Sequence, residues 1–78
     1  MSVKAVVLLD GEPGEVIELR GMGDAWGFAR GVRTGWNVPN LSRAKIYFRD
    51  EAGLFHDADD EPISPATMER LVRIFYFS

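Results

Sequence analysis

A chain of 78 residues without a single cysteine has to hold itself together by apolar packing. Disulfides and thiolate metal sites, the usual supports of very small domains, are both closed to it. Surface scaling for this size leaves about 60% of the unfolded chain's surface to be buried on folding. The material is present. Hydrophobic residues make up 46% of the chain and include five Phe, two Tyr and two Trp. That is too apolar for disorder. It is also enough for one core and no more, so residues 1–78 are expected to form a single domain.

The apolar residues fall in short runs. Val3–Leu9 is rich in Val and Leu and reads as a buried strand. Its unbroken part, Ala5–Leu9, is far too short to span a bilayer. Only Lys4 precedes that run and no small-residue cleavage site follows, so neither a signal peptide nor a membrane anchor is expected. Cytoplasmic residence fits that pattern and the missing cysteines. Asp10-Gly11-Glu12-Pro13-Gly14 is a turn, and Glu15–Arg20 is the returning strand of a hairpin. After a second turn at Gly21–Asp24, Trp26–Val32 is predicted to be a strand, with Gly27 and Gly31 marking bulges. Arg33–Gly35 reads as a turn and 36–42, around Pro39, as irregular. Ala44–Arg49 is a further strand, with a turn at Asp50–Gly53 and a short return at Leu54–His56.

The C-terminal segment carries the clearest local signal. Ser64 is a good N-cap and Pro65 suits the first helical position, where no N–H is needed. Met68, Leu71, Val72 and Phe75 then form one apolar helix face. Glu69 stands four residues before Arg73, the favourable order for a helix ion pair. The competing pattern, a strand at Leu71–Phe77, would put Arg73 on the same face as Leu71 and Phe75. The spacing therefore predicts a helix over 65–75. The fold class expected is α+β: a small bent antiparallel sheet or open small barrel of four to five strands, with one C-terminal helix.

Gly23-Asp24-Ala25-Trp26-Gly27-Phe28-Ala29-Arg30, followed by Gly35-Trp36-Asn37-Val38-Pro39, resembles the central part of Src-homology-3 domains. Val7-Leu8-Leu9-Asp10 is similar to that family's opening strand, so the resemblance covers residues 5–41. It implies a small five-stranded barrel in which Trp26 and Pro39 would sit in a ligand groove, and an adaptor module as an alternative function. Leu9, Gly11 and Ser42 stand near the positions of the family's groove tyrosines, which line the site for proline-rich peptides.

No motif in the chain assembles a catalytic centre. Gly21-Met22-Gly23-Asp24-Ala25-Trp26 fails the dinucleotide fingerprint at its sixth position. His56 is the sole histidine, and neither Ser42 nor Ser64 stands in a nucleophile turn. Asp57-Ala58-Asp59-Asp60-Glu61 lacks the glycine and the late glutamate of a calcium loop. The expectation is a non-enzymatic protein with no metal and no cofactor.

Charge is the most informative feature left. The net charge of −3 hides a segregation. Residues 20–49 carry Arg20, Arg30, Arg33, Arg43, Lys45 and Arg49 against Asp24 alone, while both flanks are acidic. Two binding classes follow. In the first, Asp50, Glu51, Asp57, Asp59, Asp60 and Glu61 form a negative face. That face docks on a basic surface of a larger protein or complex, including one that holds nucleic acid. A small acidic inhibitor or modulator of the phage anti-defence (anti-CRISPR-like) or antitoxin-like kind would work in this way. In the second, Trp26, Arg30, Arg33, Trp36 and Tyr47 bind nucleic acid, with arginines on phosphates and rings on bases. Phe75-Tyr76-Phe77 ends the chain with more apolar surface than one helix face hides, so those rings either finish the core or form a homodimer contact.

Overall fold

The computed structural model describes residues 2–35 and 44–77. The chain runs β1 (Val3–Leu9), β2 (Glu12–Pro13), β3 (Ile17–Leu19), α1 (Met22–Gly35), β4 (Ala44–Arg49), β5 (Phe55–Asp57) and α2 (Pro65–Tyr76). The strands form one open antiparallel sheet and not a closed barrel. β1 is central, with β4 on one side and then β5 at the edge. On the other side β2 and β3 share a single edge, pairing with opposite ends of β1. Leu8 and Leu9 meet Pro13 and Glu12, whereas Val3 to Ala5 meet Leu19 to Ile17. β1 and β4 pair over six residues, from Lys4↔Arg49 to Leu9↔Ala44.

The hairpin out of β1 turns on Asp10 and Gly11, both at positive φ (52° and 82°). Asp-Gly is the pair preferred for a two-residue turn of this twist. Pro13, which has no N–H to offer a ladder, is tolerated because β2 lies at the sheet edge.

Side chains alternate across the sheet, and both faces are covered. Val3, Ala5 and Val7 of β1, with Ala44, Ile46 and Phe48 of β4, pack against Ala25, Ala29 and Val32 of α1. Val6, Leu8 and Tyr47, on the opposite face, pack against Leu71, Ile74 and Phe75 of α2. The sheet therefore separates two apolar clusters, and β1 is buried on both sides. This explains why its sequence is a near-continuous apolar run rather than an alternation.

α1 replaces the strand predicted at Trp26–Val32 and the turn at Arg33–Gly35, so the described residues form two helices and not one. Met22, Ala25, Ala29 and Val32 recur at helical spacing and form its inward stripe. The stripe is built on alanines, which carry little hydrophobic contrast. Gly27 and Gly31 are exposed, and a Cβ at either would meet nothing within 4 Å, so neither marks a bulge or a close approach. The Trp26 of the Src-homology-3 resemblance thus stands on a helix, while Trp36 and Pro39 lie outside the described residues.

α2 matches its prediction to within one residue. Ser64 Oγ accepts the Thr67 N–H (3.2 Å), Pro65 opens the first turn, and Glu69 pairs with Arg73 (3.1 Å). Phe75 is 7% exposed and stacks on Phe55 at 5.7 Å. It completes the core and is not available to a dimer contact. Tyr76 and Phe77 lie outside, with Phe77 78% exposed.

Candidate functional site

The acidic residues separate into two structural groups. Asp50 follows β4 and organises the turn into β5: its Oδ1 accepts the N–H groups of Ala52 and Leu54, both at 2.9 Å. Its Oδ2 lies 2.7 Å from His56 Nε2. The hydrogen bond from His56, with those from Leu54 and Ala52, holds the Asp50 carboxyl below its ordinary pKa. Glu51 is exposed in the same turn.

The second group surrounds a cation. Lys45 Nζ is 2.9 Å from Asp57 Oδ2, 3.3 Å from Asp59 Oδ2 and 3.6 Å from Glu61 Oε2. Strand pairing and the turn after β5 explain the convergence. Lys45 and Asp57 occupy the α2 face of adjacent strands, and Asp57 Oδ1 accepts the Asp59 N–H (2.7 Å), bending the chain back. Partial burial pulls the lysine pKa down. The hydrogen bonds to Asp57 and Asp59 and the charges of Asp57 and Glu61 outweigh it, raising the pKa above the ordinary lysine value. Burial likewise pushes the phenol of neighbouring Tyr47 up.

Asp57, 5% exposed, therefore belongs to the fold rather than to an open face. Four carboxylates, including exposed Asp60, still stand against one ammonium, so the loop keeps a negative charge.

This loop borders a cleft of about 270 Å³ at the β5 edge of the sheet. β5 itself forms one side through Phe55, His56 and Asp57. Trp26 reaches it from α1, while Ile63 and Met68 reach it from the start of α2 and the chain before it. Asp60, Glu61 and Pro62 complete it. Trp26 is 42% exposed and rests edge-on against Phe48, ring centroids 5.3 Å apart. The indole is thus anchored on the core and open on its other side. Apolar side chains (Trp26, Phe55, Pro62, Ile63 and Met68) share its lining about equally with His56 and three carboxylates. Sequence reasoning placed Met68 wholly on an inward helix face and missed Ile63 and Phe55. The signal for Met68 is its place in the first turn of α2, where the inward stripe begins at the rim.

Two other hollows lack such convergence. A broad, shallow one of about 860 Å³ is lined by Ser2, Glu18, Leu19, Arg20 and Asp24, with charges of both signs. One of about 190 Å³ is lined by Lys45 and Arg70 among others. Lys45 there is engaged by carboxylates, and Arg70 donates to the Gly11 carbonyl.

Among the described residues, the basic aromatic segment does not assemble into one surface. Trp26 and Arg30 lie on α1, whereas Tyr47 is buried on the α2 side of the sheet. Lys45 is enclosed by acids. Arg49 donates to the Ser2 carbonyl (3.4 Å) and lies over the Tyr76 ring. Trp36 and the side chain of Arg33 lie outside the described residues. Among the described residues no three His, Cys, Asp or Glu side chains are grouped to hold a metal, and no helix is long and apolar enough to cross a membrane. No protein-family model, curated protein or solved structure matches this chain.

Proposed function

We propose that this chain is a non-enzymatic protein-binding domain that docks the exposed acids Asp59, Asp60 and Glu61, with the cleft beside them, on a basic surface of a larger protein. The observation that carries this reading is that Asp60 and Glu61 line the same cleft as the exposed side chains of Trp26 and Met68. Carboxylates alone are a solvated loop. Carboxylates beside a half-exposed indole give a partner both electrostatic steering and apolar area to bury. The scatter of Arg30, Lys45 and Arg49 over different faces weighs against the nucleic-acid alternative. Phosphate tracking calls for cations along one groove.

Affinity capture with the wild-type chain and with Asp60→Lys/Glu61→Lys tests the reading. Basic proteins retained by the wild type at about 50 mM salt are expected to be lost from the double variant and to elute as salt rises. The same proteins on both baits would sink it, as would saturable binding of single-stranded DNA or RNA by the wild type.

A further inference from the structure

The β5 edge gives the docking a specific form. In an antiparallel ladder, residues that exchange hydrogen bonds alternate with residues that do not. Asp50 N–H donates to Leu54 C=O and Ala58 N–H to Ile46 C=O, both at 2.9 Å. The bonded pairs between β4 and β5 are therefore Asp50/Leu54, Phe48/His56 and Ile46/Ala58. Phe55 and Asp57 fall between them, so their N–H and C=O groups point away from the sheet. Asp57 C=O is taken by the Asp60 N–H (2.9 Å). Phe55 N–H, Phe55 C=O and Asp57 N–H remain directed outward, along the side of β5 that lines the cleft.

We infer, on the footing of the reading above, that an extended segment of the partner adds to the sheet along β5. Its apolar side chains alternate with lysine or arginine. Strand addition takes its affinity from main-chain hydrogen bonds and its specificity from alternate side-chain sites. β5 offers about 10 Å of edge at the usual rise per residue, enough for three residues of ladder. On the α1 side of that ladder an incoming apolar side chain meets Trp26. On the α2 side a lysine or arginine lays its methylene stem along Ile63 and Met68 and its charged head near Glu61.

Charge decides the occupant. A second copy of this chain paired edge to edge would set the Asp60–Glu61 end of each copy against the Asp50–Glu51 end of the other when antiparallel, or against its own like when parallel, so acid meets acid either way. A basic segment neutralises them. The opposite edge of the sheet is not equivalent, because Pro13 and the gap between β2 and β3 interrupt its donors.

The probe is the capped hexapeptide Lys-Val-Lys-Val-Lys-Val and its fully N-methylated counterpart, which has the same side chains and charge but no N–H donors. Titration followed by NMR is expected to give saturable shifts at the Trp26 indole with the first peptide. The Phe55 and Asp57 amides should be protected from hydrogen exchange at least tenfold in its presence. The N-methylated peptide should bind at least tenfold more weakly, and so should the first peptide to Asp60→Lys/Glu61→Lys. No saturable binding of the first peptide overturns strand addition. Equal binding of both peptides, or binding without protection of the two amides, overturns it while leaving acidic docking in place. Undiminished binding to the double variant overturns the role of the carboxylates and with it the reading on which strand addition rests.

Discussion

Lys45 Nζ lies 2.9 Å from the carboxylate of Asp57, whose side chain is 3% exposed. The pair joins two strands on the face covered by α2, and it fixes the loop that bounds the cleft. Removing the cation leaves a buried carboxylate without its counter-charge. Lys45→Met is expected to lower stability by about 2 kcal/mol, a figure kept below that for fully buried pairs because the lysine is one-third exposed. Asp59→Asn and Glu61→Gln, which remove more exposed partners, should each lower it by less than about 1 kcal/mol. Urea unfolding at pH 7 measures all three. The lysine pKa is raised in the folded state, so its contribution is complete below the ordinary lysine value and fades only as the pH climbs through the folded one.

Acid should reveal the Asp50–His56 pair. The folded-state pKa of Asp50 is lowered, so its contribution is present above the ordinary carboxylate value and is lost as the pH falls through the folded value. Asp50→Asn keeps an oxygen for the Ala52 and Leu54 N–H groups and removes the charge. Between pH 5 and about pH 2.5, bracketing the ordinary carboxylate pKa, the wild type should lose more stability than Asp50→Asn. Parallel losses in urea titrations across that range would show that the pair contributes nothing to folding.

α1 is the less favourable of the two described helices by composition. Gly27 lies in its middle on the exposed side, with open space where a Cβ would stand. Gly27→Ala is expected to stabilise the domain by about 0.5–1 kcal/mol, the usual difference in helix propensity. A thermal melt reads this as a higher Tm. A lower one would mean that the glycine is needed for a contact on that face.

The chain end separates core from surface within three residues. Phe75→Ala should destabilise by about 3–5 kcal/mol, as expected for removing a buried ring. Phe77→Asp, at a position 78% exposed, should stay within about 0.5 kcal/mol of wild type. Light-scattering masses of wild type and Phe77→Asp, measured across a concentration series, then address self-association. A mass that falls with the substitution would place a contact at the chain end.

The elements legible in the sequence are those whose residues announce one environment. β1 and β4 are runs of Val, Ile, Leu, Tyr and Phe, and α2 has a cap, a first-position proline and a regular apolar face. α1 was hidden because half of its inward positions are alanine and its outward ones include glycine. Trp26 and Phe28 then dominate the pattern and imitate a strand. The site was legible only in its charge. Nothing local links Lys45 to Asp57, since their meeting depends on the register between β4 and β5. The cleft was invisible for a similar reason: Trp26 and Met68 belong to helices on opposite faces, brought together only around the free side of a third element.

β1 carries a hazard that its position creates. A strand with one wet face is kept in place by its own pattern, because a slip of one residue would turn its apolar row outward. β1 has that safeguard only at Lys4. Moved by one place, it would still offer Val and Leu to both helices, and Lys4 alone would be turned from the α2 side into the α1 cluster. What holds its phase is the corner at Asp10 and Gly11, where two residues of left-handed backbone tie Leu9 to Glu12 at a fixed count. The assignment of side chains to either half of the interior is thus decided at an exposed tip that touches neither.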